Sequence, residues 1–301
     1  MLRVKVLGHL CAFFTVTVWG MSFVATDVLM GGDFLTPIEV YIYRFALAYI
    51  VLFAFTCRKI LSDSVKDEAL FLLCGVCAGS LFYILENYAL KNTTAGNVSL
   101  LSSVSPLMIT ILMVTIFGAR LRAGMVIGSI IAFIGVGFVI FSHAEGIEIH
   151  PMGDLLALGS SLSWAIYAIG VKPLSAKYSS YFITRKLFFY GVLTALPLLL
   201  MQSEPYHFVE MLTTPSYLLN MLFLVLLCSI LAYVGWSYAF TAIGPVTTNN
   251  YIYLQPISTM IMAYFVLGEE ISAFGYIGCV LIISGLIISD KLGNFLAIHR
   301  K

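Results

Sequence analysis

GPVTTNNYIYLQPISTMIMAYFVLGEE, residues 244–270, is long enough to cross a lipid bilayer, and it carries Pro256 near its middle. It also places four polar side chains where hydrocarbon is expected: Asn249, Asn250, Tyr253 and Gln255. A helix in the core of a soluble protein would not contain this proline, and a helix that only anchors a protein would not need the amides. The stretch therefore predicts a membrane helix with a kink and a polar function.

The composition of the whole chain predicts an all-α polytopic membrane protein. Of its 301 residues, 60% are hydrophobic and only 10% are charged, whereas about 25% of the residues of a soluble domain are charged. Backbone groups in lipid must be paired within the segment that carries them, so the spanning elements are expected to be helices. We count ten apolar segments of about 20 residues: 6–30, 36–57, 68–90, 95–117, 123–142, 152–172, 180–201, 216–241, 246–267 and 273–290. The net charge of +1 gives no indication of a nucleic-acid partner.

The cysteines do not indicate a disulfide framework or a metal site. Nearly all six lie in apolar segments, where cysteine packs as a small apolar residue. Cys74 and Cys77 form a CxxC motif, but no further Cys/His pair accompanies them. We therefore expect neither a metal nor another cofactor.

The positive charges fall on one side of the membrane if the chain has ten spans. Lysine and arginine are enriched in cytoplasmic loops. Here they precede the first span, follow the last, and occupy the second, fourth and sixth connections: Arg3, Lys5, Arg58, Lys59, Lys66, Arg120, Arg122, Lys172, Lys177, Lys291, Arg300 and Lys301. The other side carries Lys91 and most of the acids. We therefore predict a protein of the cytoplasmic (inner) membrane with both termini in the cytoplasm.

An internal repeat relates the two halves of the chain, residues 1–145 and 146–301. Residues at a constant offset of 150 include matched tyrosines, prolines and glycines: Tyr83 and Tyr233, Pro106 and Pro256, Gly128 and Gly278, Gly135 and Gly285. Near the start of each half the offset is 145, and Trp19 matches Trp164. Each half has five predicted spans, and because five is odd, the halves must have opposite orientations. Such inverted repeats build many secondary transporters, with the substrate site near the midplane.

Three motifs carry a resemblance to a known family: WGMSF at 19–23, TTAGNVSLLSSVSPL at 93–107 and PVTTNNYIYLQPISTMIMAYFVLGEEIS at 245–272. Over essentially its whole length, the chain resembles the EamA-type members of the drug/metabolite transporter superfamily. The resemblance implies ten helices, a central cavity between the halves, and export or exchange of small polar metabolites. It does not imply a particular substrate.

The first half departs from the pattern of that family at the end of its fourth span. The family closes its fourth and ninth spans with a glycine and a glutamate, and the second half meets this pattern with Gly268 and Glu269. The first half has Gly118 followed by Ala119 and Arg120. If the glutamate is needed for transport, the first half does not supply it.

Pro106 and Pro256 each lie near the middle of a predicted span. Proline lacks the backbone donor and collides with the carbonyl group four residues back, so each helix should bend. Membrane helices tolerate proline better than soluble helices do, and a purely structural role is the alternative. Because the two prolines match across the repeat, we predict that they shape the site or act as hinges.

The polar residues near Pro256 are candidates for substrate contact. Asn249, Asn250 and Tyr253 share a broad helix face by their spacing, whereas Gln255 points to a different side. Amides in hydrocarbon need hydrogen-bond partners, so interhelical bonding and substrate contact are both open for each residue. The matching region of the first half carries other polar residues: Asn97, Ser99, Ser102, Ser103 and Ser105.

Glu86 is the one acid that we predict to lie well inside a span, and Asn87 follows it. An ionisable group at that depth is a candidate for function, either as a site of ion or proton coupling or as a partner for a substrate amine. The alternatives are that Glu86 reaches the interface or pairs with Lys91 or Arg44. Arg44 is similarly deep in the second span, and it would bind a carboxylate or pair with Glu86 or Glu39.

The tryptophans predict an aromatic cavity. Trp19 and Trp164 lie well inside their spans, whereas tryptophans of the interfacial belt lie at span ends. Ser22 shares the helix face of Trp19, and Tyr167 shares that of Trp164. Packing or lipid contact is the alternative for each ring. The predicted lining residues are Trp19, Ser22, Tyr83, Glu86, Asn87, Trp164, Tyr167, Tyr233, Trp236, Asn249, Asn250 and Tyr253.

These features predict a secondary transporter that exports a small polar or amphipathic metabolite, such as an amino acid, by alternating access through a central cavity. A phosphate ester would need several buried arginine or lysine residues. The sequence has no GxSxG, HExxH or Walker A motif, so an enzyme is not expected. A non-transporting membrane scaffold or sensor is the alternative, and an intramembrane enzyme is a weaker one. The expected partners are the substrate and the lipid bilayer, and the sequence is compatible with a monomer.

Overall fold

Every regular element that the structure describes is a helix, as the composition predicts. The computed structural model of the chain describes residues 2–31, 34–56, 59–93, 98, 101–117, 123–141, 150–203, 205–267 and 273–298. Several residues of the predicted motifs lie outside the described residues: Asn97, Ser99, Gly118, Ala119, Arg120, Gly268, Glu269 and Glu270.

The main helices of the described residues are labelled in chain order. They are α1 Leu2–Met30, α2 Pro37–Thr56, α3 Val65–Asn92, α4 Ser105–Phe117, α5 Ala123–Phe141, α6 Pro151–Ser175, α7 Ser180–Met201, α8 Pro215–Ile243, α9 residues 245–267 and α10 Ala273–Ile298. A short helix, Phe208–Thr213, precedes α8.

Six of the described helices are long and apolar enough to cross a membrane: α1, α2, α3, α6, α7 and α8. Helices α4, α5 and α10 are apolar but have shorter stretches of this kind, and α9 is interrupted. The fold is therefore that of an all-α polytopic membrane protein. The count of ten spans stays a prediction.

Helix packing follows the internal repeat. Helix α1 packs on α8 and α9, and its equivalent α6 packs on the corresponding helices α3 and α4. Helix α2 packs on its own equivalent α7, and α5 packs on its own equivalent α10. Exchanging the two halves therefore leaves these helix contacts unchanged, as an approximate twofold axis between them requires.

The pair α5 and α10 shows how the halves are oriented. A Cβ atom on Gly128 would lie 2.4 Å from the carbonyl oxygen of Gly285, and one on Gly135 would lie 2.8 Å from that of Gly278. The lower residue number on one helix meets the higher number on the other, so the helices are antiparallel. Small residues permit such close backbone approach between membrane helices. Two equivalent helices that run in opposite directions are the geometry that an inverted repeat requires.

The matched prolines lie where their helices are broken, rather than within a continuous helix. Pro106 is the second residue of α4 and follows a turn at residues 103–104. Pro256 is the second residue of the α-helical segment Gln255–Leu267, which follows a 3₁₀ turn at Tyr251–Leu254. Proline is tolerated in the first turn of a helix, where its missing donor is not needed. A hinge role for both residues remains a prediction.

A second matched irregularity was not predicted from the sequence. Helix α3 contains a π-helical segment at Val76–Ser80, and α8 contains one at Phe223–Leu231, which overlaps the position equivalent at the offset of 150. Gly79 in the first segment has φ −118° and ψ −105°, far from helical values. Such bulges occur frequently at functional sites.

The two ends of the bundle are held by different chemistry. We call the end with Thr56 and Val65 the inner end and the end with Met30 and Pro37 the outer end, after the predicted orientation. At the inner end, ion pairs join the start of α3 to the α6–α7 region: Lys177 to Asp67, at 2.9 Å, and Lys186 to Glu68. At the outer end, the buried carboxylate of Glu39 accepts from Tyr43 and from the backbone nitrogen of His207. Thr36 donates to Gln202 there, and the rings of Phe34 and Tyr217 stack with centroids 4.0 Å apart.

Candidate functional site

A cavity lies at the centre of the bundle, between the two halves of the chain. Its volume is about 40 Å³, which is room for about three water molecules. The residues that line it come from α1, α3 and α4 and the turn before it in the first half, and from α6 and α9 in the second: Trp19, Ser22, Phe23, Phe82, Tyr83, Glu86, Ser102, Ser105, Trp164, Ile252 and Gln255. Five of these residues were predicted as lining: Trp19, Ser22, Tyr83, Glu86 and Trp164.

Equivalent aromatic residues of the two halves meet at this cavity. The rings of Trp19 and Trp164 are in edge contact, with centroids 5.4 Å apart at 88°. The phenol oxygens of Tyr83 and Tyr233 are 3.2 Å apart. Because each pair joins residues that match in the repeat, the approximate twofold axis passes between them. The centre of the predicted transporter site thus coincides with the axis of the repeat.

Hydrogen bonds fix the two cavity tryptophans in different ways. The indole nitrogen of Trp19 donates to the carbonyl oxygen of Cys228 at 2.8 Å. That of Trp164 donates to the side-chain oxygen of Asn249 at 2.9 Å. Buried indole donors need such partners. Both rings are therefore held in place, and the surfaces that they present to the cavity are apolar.

Three predicted lining residues lie behind the tryptophans instead. The centroids of Trp236 and Trp19 are 5.0 Å apart, those of Tyr167 and Trp164 are also 5.0 Å apart, and Tyr233 lies 5.2 Å from Trp19. These residues close the cavity towards the inner end. Trp236 occupies the position equivalent to Glu86 at the offset of 150, so a ring fills one side of the axis where the other side has a carboxylate.

Glu86 and Arg44 bring opposite charges to the outer side of the cavity without forming an ion pair with each other. Both line a neighbouring small cavity of about 10 Å³, which also shares Tyr83 and Ser22 with the central one. Glu86 is 8% exposed and Arg44 is 3% exposed. No residue that the structure describes donates a hydrogen bond to the Glu86 carboxylate. A buried carboxylate needs water or a cation beside it, and the cavity supplies the space.

The guanidinium group of Arg44 is only partly satisfied by the protein. Its Nε donates to Ser229 Oγ at 2.8 Å, and it lies 5.0 Å from the centroid of the Tyr83 ring. Its Nη2 is buried and has no hydrogen-bond partner among the described residues. An orphaned charged donor is costly in a membrane interior. Arg44 is therefore suited to receive a carboxylate, one of the two roles considered from the sequence.

Asn249, Asn250 and Tyr253, which were predicted to line the cavity, are not among the residues that line it, and their contact with a substrate stays a prediction. Asn249 accepts from Trp164 and donates to the carbonyl oxygen of Pro245. Asn250 donates to Ser289 Oγ at 2.8 Å, and Tyr253 packs in the core between α9, α5 and α10. Gln255 lines the cavity instead.

A 3₁₀ turn at Tyr251–Leu254 separates the two asparagines from Gln255. A 3₁₀ helix has 3.0 residues per turn and an α-helix has 3.6, so the turn rotates the following residues relative to a continuous α-helix. Helical spacing carried through the turn therefore gives the wrong face for Gln255 relative to Asn250. Asn87 is also displaced from the central cavity: it lines the small one and donates to the carbonyl oxygen of Pro37 at 3.0 Å.

Six lining residues were absent from the predicted set: Phe23, Phe82, Ser102, Ser105, Ile252 and Gln255. Two of the equivalent pairs at the offset of 150 are Ser102 with Ile252 and Ser105 with Gln255. For these four residues, the repeat would have indicated the second member of each pair once the first was placed at the cavity. Any residue that faces the axis in one half is expected to have its equivalent near the axis in the other.

Comparison with known proteins gives the class of the chain. The model of the EamA-like transporter family matches residues 6–141 and again residues 151–289. The chain belongs to this family. The two matches fall on the two halves of the internal repeat, one in each.

Relatives of this EamA-family chain are similar over nearly their whole lengths. It is 29% identical over 289 residues to an uncharacterised transporter of Archaeoglobus fulgidus, covering 93% of this chain and 96% of that one. It is 24% identical over 278 residues to a probable terminal-alkyne amino-acid exporter of Streptantibioticus cattleyicolor, covering 92% and 91%. A crystal structure with 18% sequence identity superposes with a TM-score of 0.76 and covers 98% of both chains, so it shares the fold. The chain is a multi-pass membrane protein of a transporter family.

We expect Gln255→Ala to change transport and Asn250→Ala to change stability. The first removes an amide from the cavity wall and should raise the transport KM about tenfold, the value of one hydrogen bond, while leaving the melting temperature unchanged. The second removes the bond to Ser289 and should lower the melting temperature with little change in KM. Transport kinetics and thermal unfolding of the two purified variants check this, since both change an amide to alanine. The reverse pattern would place Asn250 in the site.

Proposed function

We propose that this EamA-family protein is a secondary exporter of a small amphipathic metabolite of the amino-acid class. It works in the cytoplasmic membrane by alternating access, as a monomer with both termini in the cytoplasm. The observation that carries the proposal is the pair of adjoining cavities, which Glu86 and Arg44 line with opposite charges and without an ion pair between them. A transported solute that carries one positive and one negative charge would pair with both Glu86 and Arg44.

The charges of the two cavities indicate the chemistry of the solute. A substrate carboxylate would accept from Arg44 Nη2, and a substrate ammonium group would lie against Glu86. Burying either charge alone is costly, whereas a buried pair with hydrogen bonds offsets much of that cost. Among the described residues that line either cavity, Arg44 is the one basic residue, and it lines the small cavity. A phosphate ester, which needs several such residues, is therefore a poor fit.

The apolar part of the solute would lie against the cavity's aromatic wall. The rings of Trp19, Phe82 and Trp164 line one region of the central cavity, and Trp164 and Phe82 have centroids 5.2 Å apart. Aromatic faces attract both apolar groups and cations. This arrangement favours an amino acid with an apolar or unsaturated side chain. The printed name of the Streptantibioticus relative, a probable amino-acid exporter, agrees with that class.

The size of the cavity supports a mechanism that requires a conformational change. At about 40 Å³, it is too small for an amino acid and holds only a few waters. On the inner side it is closed by Tyr167, Trp236 and Phe240, and the Phe240 ring contacts the other two. The helix breaks at Pro106 and Pro256 and the π-helical segments of α3 and α8 provide four places where helices can bend. Glu86, which faces the same cavity, is the candidate for proton or ion coupling.

The test is a substrate screen in proteoliposomes, with and without a proton gradient. We expect saturable uptake of one or more amino acids, and we expect competition by the N-acetyl derivative or the amide of that amino acid to be at least about tenfold weaker, because each lacks one charge. Equal competition by both derivatives would contradict the role of Glu86 and Arg44. Absence of any saturable flux would favour a scaffold or sensor, and chemical conversion of the solute would favour an enzyme.

A further inference from the structure

A third and larger cavity lies at the inner end of the bundle, outside the central site. Its volume is about 110 Å³. It is formed by α2, α3, α7 and the connection between α2 and α3, and its lining residues are Tyr49, Phe53, Ile60, Leu61, Glu68, Arg185, Lys186, Phe189 and Tyr190. None of them lines the central cavity, so the transport proposal gives this space no role.

The charged wall of this cavity is fixed by the surrounding protein. Arg185 and Lys186 are only 2% and 4% exposed. The guanidinium group of Arg185 donates to the carbonyl oxygens of Thr56 and Lys59, and Lys186 pairs with Glu68. Glu68 is the one acid in the lining, so the described lining carries two cations and one anion. Their net charge favours an anionic ligand.

The apolar wall lies deeper in the bilayer than the charges. Helix α2 runs towards the inner end and α7 runs away from it, so Tyr49 and Phe189 lie farther from that end than Arg185 does. The ring of Tyr49 contacts both Phe53 and Phe189, with centroids 5.7 and 5.8 Å apart. At the mouth, Ile60 and Leu61 are 61% and 68% exposed. Along the membrane normal, the charged groups of the cavity lie nearer the inner end and its apolar groups lie deeper in the bilayer. The headgroup and acyl chains of a phospholipid follow the same order.

We propose that this cavity binds one anionic phospholipid. Its phosphodiester group lies near Arg185 and Lys186, and it is attracted by the net positive charge of the lining rather than by direct hydrogen bonds, because those side chains already donate to the protein. Its acyl chain follows Phe53 and Phe189 into the bilayer. Basic pockets between membrane helices near the cytoplasmic face are known to recognise such headgroups. The bound lipid would join α2 to α7, two equivalent helices that pack on each other across the halves.

The test measures phosphatidylglycerol and phosphatidylcholine retained by the purified full chain, by native mass spectrometry. The wild type should retain phosphatidylglycerol in preference to phosphatidylcholine. Ile60→Glu places a negative charge at the mouth on an exposed side chain, so folding should be unaffected. We expect it to weaken phosphatidylglycerol binding about fivefold, the value of one charge near a lipid surface. Ile60→Gln should stay within about twofold of the wild type.

A control with the same change in net charge separates this pocket from the general charge of the inner end. Lys172 is exposed on α6 at that end and does not line the cavity. Lys172→Gln should leave lipid retention nearly unchanged; a loss as large as that in Ile60→Glu would overturn the proposal. Equal retention of the two lipids by the wild type would do the same. Displacement of the lipid by excess inorganic phosphate would also overturn it, because the site would then bind free anions.

Discussion

Replacing Glu86 with glutamine is expected to lower transport of the proposed amino-acid substrate about 100-fold, since one buried charge-assisted hydrogen bond is worth about 3 kcal/mol. The change keeps the shape of the side chain and removes its charge. No described residue donates a hydrogen bond to Glu86, so the fold does not depend on the carboxylate. The melting temperature should therefore change little. Transport by purified Glu86→Gln in proteoliposomes, together with thermal unfolding, checks both parts.

The control for this variant is Glu210→Gln. Glu210 is exposed near the outer end and lines neither the central cavity nor the small cavity beside it. Glu210→Gln changes the net charge by the same amount as Glu86→Gln and should leave transport unchanged. If Glu86 also couples transport to protons, the residual flux of Glu86→Gln should no longer respond to a proton gradient. Wild-type transport by Glu86→Gln would remove this residue from the site.

Gly128→Ala and Gly278→Ala are each expected to lower the melting temperature by about 5 °C, because overpacking a tight contact costs about 1–3 kcal/mol. The added Cβ on Gly128 would lie 2.4 Å from the oxygen of Gly285, and that on Gly278 would lie 2.6 Å from the oxygen of Gly135. These atoms are backbone, so α5 and α10 must separate. The two variants alter equivalent positions and should have similar effects, which thermal unfolding of the purified proteins measures.

Gly31→Ala is the matched control for both glycine variants. A Cβ atom on Gly31 would meet nothing within 4 Å, so this variant should unfold at the wild-type temperature. If Gly128→Ala destabilised the protein and Gly278→Ala did not, the approximate symmetry of the α5 and α10 contact would be contradicted. Equal stability of all three variants would contradict the close packing itself.

The sequence predicted those features that depend on composition and on repetition. Hydropathy predicted the all-helical membrane fold, because the cost of unpaired backbone groups in lipid leaves no other choice for long apolar segments. The match of Trp19 with Trp164 predicted that both rings lie at the centre, where they contact each other. Glu86 was selected because an ionisable residue deep in an apolar membrane segment is a candidate for a functional role.

Features that depend on local helix geometry could not be predicted in this way. The π-helical segments at Val76–Ser80 and Phe223–Leu231 leave hydropathy unchanged. The 3₁₀ turn before Gln255 changes which side chains face the cavity. Pro256 predicted an irregular helix in this region, but not the type of turn. Trp236 was assigned to the cavity as an aromatic residue. Its place behind Trp19 follows from packing among three helices, which no single-helix pattern records.

The contacts at the twofold axis have a consequence for how such a molecule can change state. In an inverted repeat, the inward-open and outward-open forms arise when the halves trade conformations. A contact between matched residues, such as Tyr83 with Tyr233 or Trp19 with Trp164, is converted into itself by that trade and can persist throughout the cycle. A contact between unmatched residues, such as Lys177 with Asp67 at the inner end, is not converted into itself and would break in such a cycle. The paired rings would therefore stay in contact while the halves move about them, and the loop contacts at the two ends would form and break in turn.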